Sequence, residues 1–251
     1  MPPRTSLSVI IPFFHEGEQL ALTLKDALAY LDHWAAPWEV LLVGEAAACE
    51  DMTPLAELLR AHPNVKTHWN PGPPGKGASV KHGVSQARHD LVLFMDADNS
   101  TRLAELDKAL PLMAAGADVV IASRTHPATV LVRHIPMVRR VGAALFRWLY
   151  QCVVLPGIKD SQCGFKCFSR AAAAAIFTRQ TIAGFAFDVE LLTIAWRQGC
   201  RIQDIPVTWD NDYATTRSTS LRNVKSFWDV LVIACNRRRG LYDGDLHAGK
   251  P

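Results

Sequence analysis

At 251 residues the chain has enough material for one large or two small domains with a well-buried core. Charged residues at 20% and hydrophobic ones at 49% exclude intrinsic disorder, and a formal charge of +3 is too small to mark a nucleic-acid binder. Cys49, Cys152, Cys163, Cys167, Cys200 and Cys235 form no CxxC pair and no zinc-like spacing, so they are expected to be reduced, apolar fillers. The opening MPPRTSLSVIIPFF lacks the pattern of a signal peptide, and no stretch approaches the ~18 uninterrupted apolar residues of a spanning helix. The expectation is a cytoplasmic chain that meets lipid, if it does, from the surface.

In chain order, LSVIIPFF is a continuous β-rich run, as for a strand buried on both faces. Glu18 to Leu31 follows as an amphipathic helix with Leu20, Leu24, Ala27, Leu28 and Leu31 on one side. WEVLLVGE reads as the second strand, and TPLAELLRAH as a helix with Thr53 at its N-cap and Pro54 at its first position. VKTHWN is a short third strand, PGPPGKGASVKHGVSQAR a loop entering a helix, and DLVLFMDAD the fourth strand. A helix over Leu103 to Ala115, the strand DVVIASR, the loop GIKDSQCGFKCFSR, and helices in AAAAAIFT and FAFDVELLTIAWRQG come next. RIQDIPVTW is a late strand and LRNVKSFWDVLVIACNRRRG a terminal amphipathic helix. The alternation predicts an α/β class with a doubly wound, mostly parallel sheet, one domain over residues 1–240 and a disordered tail over 241–251.

In such sheets ligands bind at the carboxyl ends of the strands. Four loops are expected to meet there: Phe14–Glu16, Gly44–Asp51, Gly75–Gly77 and Asp96–Ser100. The fourth strand ends in Asp96-Ala97-Asp98. Two readings of this pair stand: short acids that form a turn, or carboxylates that hold a hard cation and the diphosphate it bridges. Lys76, in GPPGKGAS, lacks the spacing of a Walker loop.

SVIIPFFHEGEQL, GKGASVKHG, FMDAD, ASR, IKDSQCGFKCFSR and FAFDVELL together resemble, in order, the blocks of family 2 glycosyltransferases. Two of them, DSQCGFK and FAFDVELL, are most similar to those of dolichyl-phosphate β-glucosyltransferases and their polyprenyl-phosphate relatives. The resemblance implies a GT-A fold, a nucleotide-sugar donor such as UDP-glucose, Mg²⁺ or Mn²⁺, and inversion at the anomeric carbon. It places Pro12, Phe14 and Glu16 beside the nucleoside, Lys76 towards the nucleotide, Asp96 on the donor and Asp98 on the metal. Gln162, Cys163 and Gly164 would line the sugar site, and Asp188 matches a carboxylate often assigned as base. A hydroxyl acceptor needs such a base, whereas a phosphate is already anionic and needs positioning. With a lipid-phosphate acceptor, Asp188 is expected to orient groups, and Arg124, Arg139 and Arg140 are candidate phosphate clamps.

The chain departs from the family pattern in VLLVGEAAACEDMT, where relatives have V-D-D-G-S-x-D-x-T. Gly44 replaces the first acid, Glu45 stands for the base-reading second, and Asp51 matches the third. In WDNDYATTRSTS, Arg217 is the candidate for a basic residue that closes over the diphosphate. MVRRVGAALFRWLYQCVV and SFWDVLVIACNRRRG combine arginines with Trp and aliphatic residues, as interfacial helices do. They would seat the protein on the cytoplasmic membrane face, or else pack on the domain or in a homodimer. The alternatives to glucosyl transfer are another donor (GDP-mannose), a soluble acceptor, or a sugar-nucleotide-binding protein impaired in catalysis.

Overall fold

The computed structural model describes residues 5–46, 52–133, 136–210 and 220–247. The first half alternates strand and helix: β1 (Leu7–Pro12), α1 (Gly17–Leu31), β2 (Trp38–Glu45), α2 (Ala56–Ala61), β3 (Val65–Asn70), α3 (Lys76–Gln86) and β4 (Leu91–Met95). The second half continues with α4 (Leu106–Ala114), β5 (Val119–Ser123), β6 (Val130–Leu131), α5 (Met137–Val153), β7 (Phe165–Ser169), α6 (Arg170–Arg179) and α7 (Phe187–Arg197). β8 (Ile202–Pro206), β9 (Thr208–Trp209) and α8 (Ser220–Arg238) complete the described elements.

Among the described residues, one sheet runs β3-β2-β1-β4-β7-β5-β8, and β6 pairs with β9 in a separate ribbon. Every neighbouring pair of the large sheet is parallel except β4–β7 and β5–β7, which makes β7 an antiparallel strand inside a parallel frame. The doubly wound, mostly parallel sheet is therefore as expected. β7 is not: the sequence reads there as loop, because Lys166 interrupts the apolar alternation of FKCFS. Lys166 is fully buried, and its charge is answered by a partner that no local pattern reveals.

Apolar side chains from alternate strand positions split into two layers, as the period of two requires. Val9, Ile11, Val40, Leu42 and Leu93 face α1 and α4, while Ile10, Leu41, Val43, Val92 and Phe94 face α3, α6 and α7. Two further expectations change. Residues Thr53–Leu55 form a 3₁₀ turn capped by Met52 with no side-chain hydrogen bond, so Thr53 lies inside the turn and is not its cap. Residues 241–247 of the expected tail are packed: Tyr242 is fully buried, and the Leu246 N–H donates to Gln198 O at 3.0 Å; residues 248–251 lie outside the described residues.

Candidate active site

The carboxyl ends of β1, β2 and β4 meet the N-terminus of α3, and the candidate residues gather there. Pro12 is buried at the end of β1, and Phe14 stands 38% exposed at the rim. His15 (φ 57°) and Asn99 (φ 54°) are the described non-glycine residues with left-handed backbone. That conformation is uncommon for a side-chain-bearing residue, and both instances border this crevice. Each turns the chain sharply after a strand, which brings Glu16 towards Asp96 and Asp98.

Lys76 opens α3 and sets its Nζ 2.5 Å from Asp96 Oδ1. The Asp96 N–H donates to Gly164 O at 3.0 Å, which pins the acid against the 157–164 loop. A Cβ on residue 164 would lie 2.0 Å from Asp96 Oδ2, so Gly164 shapes the site by lacking a side chain. Asp98 Oδ1 accepts from Ser100 N at 3.0 Å and from Ser100 Oγ at 2.5 Å.

The rim is short of positive charge. Loss of hydration, followed by repulsion from Asp96 and Asp98, pushes Glu16 up to about 7, although much of the residue's surface stays open to solvent. Burial and then the Asp96 charge also raise Asp98. Burial opposes the Lys76 charge, but Asp96 and then Asp188 more than compensate and hold its pKa above the ordinary lysine range. Crowded carboxylates with a single ammonium among them suit a hard divalent cation, whose ligands are oxygens. Asp98 is the group that would hold it, with Asp96 beside it. Among the described residues no group of three or more His, Cys, Asp or Glu is placed to hold a metal ion.

Deeper charges are matched one to one. Asp188, in the first turn of α7, is buried and paired with Lys166 of β7, whose Nζ also donates to Cys163 O at 2.8 Å. Burial pushes the Asp188 carboxyl up, and Lys166 and Lys76 pull it back. A buried carboxylate already holding a lysine is better placed to orient its neighbours than to take a proton. Arg124 grips Asp160 with Nε at 2.8 Å and Nη2 at 2.7 Å, and its guanidinium lies 5.5 Å from the centre of the Trp209 ring. Burial works against the Asp160 charge, yet Arg124 outweighs it and holds Asp160 at about 2. Two of the Arg124 donors thus serve Asp160, and Arg124 braces the 157–164 loop.

The remaining candidates separate by position. Gln162 Nε2 is buried with no hydrogen-bond partner. Cys163 turns its side chain into the core, with Sγ 3.7 Å from Thr101 Oγ1, and its carbonyl accepts from Lys166 Nζ. Glu45 Oε1 accepts from Gly75 N at 2.8 Å, tying β2 to the loop that carries Lys76. Gly44 is required by Trp69: a Cβ there would lie 2.5 Å from the indole, which fills the space a first acid would use. Arg139 and Arg140 lie in the first turn of α5, away from these contacts in sequence and partly or fully exposed. Arg217 and Asp51 fall outside the described residues. Asp160 and Lys166 open and close the DSQCGFK block, but the sequence assigned neither a role because their partners, Arg124 and Asp188, lie elsewhere in the chain; Trp69 carried no signal at all.

Comparison with known proteins agrees with this geometry. A model of the glycosyl transferase family 2 matches residues 8–177. A dolichyl-phosphate beta-glucosyltransferase of Trichomonas vaginalis is 28% identical over 96% of this chain and 74% of its own length. The enzyme of the same name from Drosophila melanogaster is 30% identical, covering 82% of this chain and 68% of its own. Among solved structures, Mycobacterium tuberculosis glucosyl-3-phosphoglycerate synthase with Mn²⁺ and uridine-diphosphate-glucose superposes with a TM-score of 0.65 at 15% identity. That match covers 94% of this chain and 79% of the other and shows the shared GT-A fold.

Proposed function

From the premise that this chain belongs to glycosyl transferase family 2 and is a hexosyltransferase, we propose that it moves glucose from UDP-glucose to a polyprenyl phosphate with inversion at the anomeric carbon. The observation that carries this reading is the acid-rich rim, where Glu16, Asp96 and Asp98 surround Lys76 in a chain whose relatives are named dolichyl-phosphate beta-glucosyltransferases. Asp98 would hold Mg²⁺ or Mn²⁺, with Asp96 beside it facing the donor. Such an ion neutralises charge gathering on a diphosphate leaving group. Lys76 adds its own positive charge on the same side, released from Asp96 as the donor enters. Phe14 and Glu16 border the nucleoside, and Gln162 Nε2 donates to a sugar hydroxyl.

The acceptor phosphate oxygen attacks the anomeric carbon as the bond to the diphosphate breaks, and UDP departs. A phosphate needs no base in this step, which agrees with an Asp188 already engaged by Lys166. Asp188 instead fixes the turn that presents Gly164 and Asp96. Arg139 and Arg140 remain the candidate contacts for the acceptor phosphate, and Arg217 the candidate closing residue over the diphosphate.

The acceptor is a lipid, and the exterior of α5 and α8 is suited to meet one. Val138 (84% exposed), Trp148 (62%) and Trp228 (68%) present apolar surface beside Arg139, Arg140 and Arg147, as in helices that lie along a membrane. Among the described residues no helix is long and apolar enough to cross a membrane. The protein sits peripherally, on the cytoplasmic face.

Incubation with Mn²⁺, a short-chain polyprenyl phosphate and either UDP-glucose or GDP-mannose tests the reading, with products identified by mass spectrometry and NMR. A β-linked glucolipid from UDP-glucose is expected. A mannolipid alone transfers the reading to the second donor. Nucleotide binding without product from either donor points to a binding protein.

A further inference from the structure

The segment that follows α8 reaches the donor side of the crevice through a buried polar chain, and nothing in the family blocks marks it. Tyr242 is fully buried and donates its hydroxyl to Glu190 Oε1 at 2.7 Å. Asn236 Nδ2, near the end of α8, donates to the Tyr242 oxygen and to Thr181 Oγ1, each at 3.1 Å. Glu190 is itself fully buried in the first turn of α7, two residues beyond Asp188. Its carboxylate also accepts from Thr181 Oγ1 at 2.6 Å, from Thr181 N at 3.0 Å and from Ile182 N at 2.7 Å.

The loop so held, residues 180–186, lies against the start of α3. Ala78 N donates to Ala183 O at 3.2 Å, and Gln180 Nε2 donates to Gly77 O and to Ile182 O, each at 2.9 Å. Lys81 Nζ donates to Gln180 O at 2.6 Å. Lys76 opens that same helix one residue before Gly77. A buried carboxylate facing this many donors is a rigid joint, because each donor would lose its partner if the carboxylate moved.

We propose that Tyr242 and Glu190 are positioning residues for nucleotide binding: they lock the 180–186 loop against α3 and so fix where Lys76 stands relative to Asp96. This rests on the reading of the crevice as a nucleotide-diphosphate site. Neither residue touches the crevice itself, and the C-terminal segment thereby becomes part of the donor site's support.

Tyr242→Phe removes one hydroxyl and keeps the buried ring. Two measurements on the full chain separate the proposal from the reading beneath it. Hydrogen–deuterium exchange at the amides of residues 77–83 is expected to quicken in Tyr242→Phe without a matching change in β1 or β2. Calorimetric binding of UDP in the presence of Mn²⁺ is expected to weaken by about 3- to 10-fold, the scale of one buried hydrogen bond. Should transfer be measurable, the donor KM rises by a similar factor while kcat is held. A variant whose UDP affinity and α3 exchange both match the wild type, with only a lower Tm, overturns the proposal and leaves Tyr242 a structural filler. Faster α3 exchange in a protein whose wild type binds no UDP keeps the joint and defeats the nucleotide reading. Glu190→Gln is the sharper control, because its amide NH₂ faces backbone donors; it is expected to move both readouts further than Tyr242→Phe.

Discussion

The rim and the interior of the crevice handle charge in opposite ways. In the interior, Asp188 is matched by Lys166 and Asp160 by Arg124. At the rim, Glu16, Asp96 and Asp98 crowd the ammonium of Lys76. The paired charges give the loops a fixed shape, since breaking a buried pair strands an ion in a low dielectric. The excess of acid over base at the rim does the reverse: its carboxylates repel one another, a repulsion that a bound cation would relieve.

The contrast can be broken by experiment. The largest effect is expected from Asp98→Asn, which should cut transfer by about 100-fold or more and weaken Mn²⁺ binding in calorimetry. Its Tm should hold or rise, because a repelled charge is gone. Wild-type Mn²⁺ affinity in that variant would remove the rim from the ion's site. Next, Lys166→Met should lower stability in urea denaturation by ~3–5 kcal/mol by leaving Asp188 buried and unpaired. Pairing it with Asp188→Leu should restore much of that loss, and a single variant as stable as the wild type would refute the closed interior.

The smallest effect is a pH dependence. Glu16 has its folded pKa raised from 4.5 to about 7, so between those values the folded state binds more protons than the unfolded one. Its contribution therefore lowers stability as pH rises through that window. Glu16→Gln should flatten this part of the Tm–pH curve, and Mn²⁺ should raise the wild-type Tm more at pH 8 than at pH 5. An equal metal-induced shift at both values would count against the crowded rim.

How legible each region was follows from how local its cause is. β1, β2 and β4 announced themselves because strands buried on both faces become uninterrupted apolar runs. The Asp96–Asp98 pair was visible from its place at a strand exit. β7 was hidden by a lysine whose burial depends on an aspartate 22 positions away. The Arg124–Asp160 pair was equally hidden, because sequence shows a guanidinium without its partner and Asp160 lies 36 positions on. Tyr242 read as tail for the same reason, its acceptor being Glu190 of α7.

By itself, the sequence determined the α/β alternation, the loops that meet at the carboxyl ends of the strands and the acids at the rim. Those depend on period, apolar runs and order along the chain. Only the tertiary structure decided which charges are matched and which are left in excess. Ion pairing at a few ångströms is a property of space: an aspartate beside Lys166 is a brace, whereas one beside another aspartate adds to a local excess of negative charge.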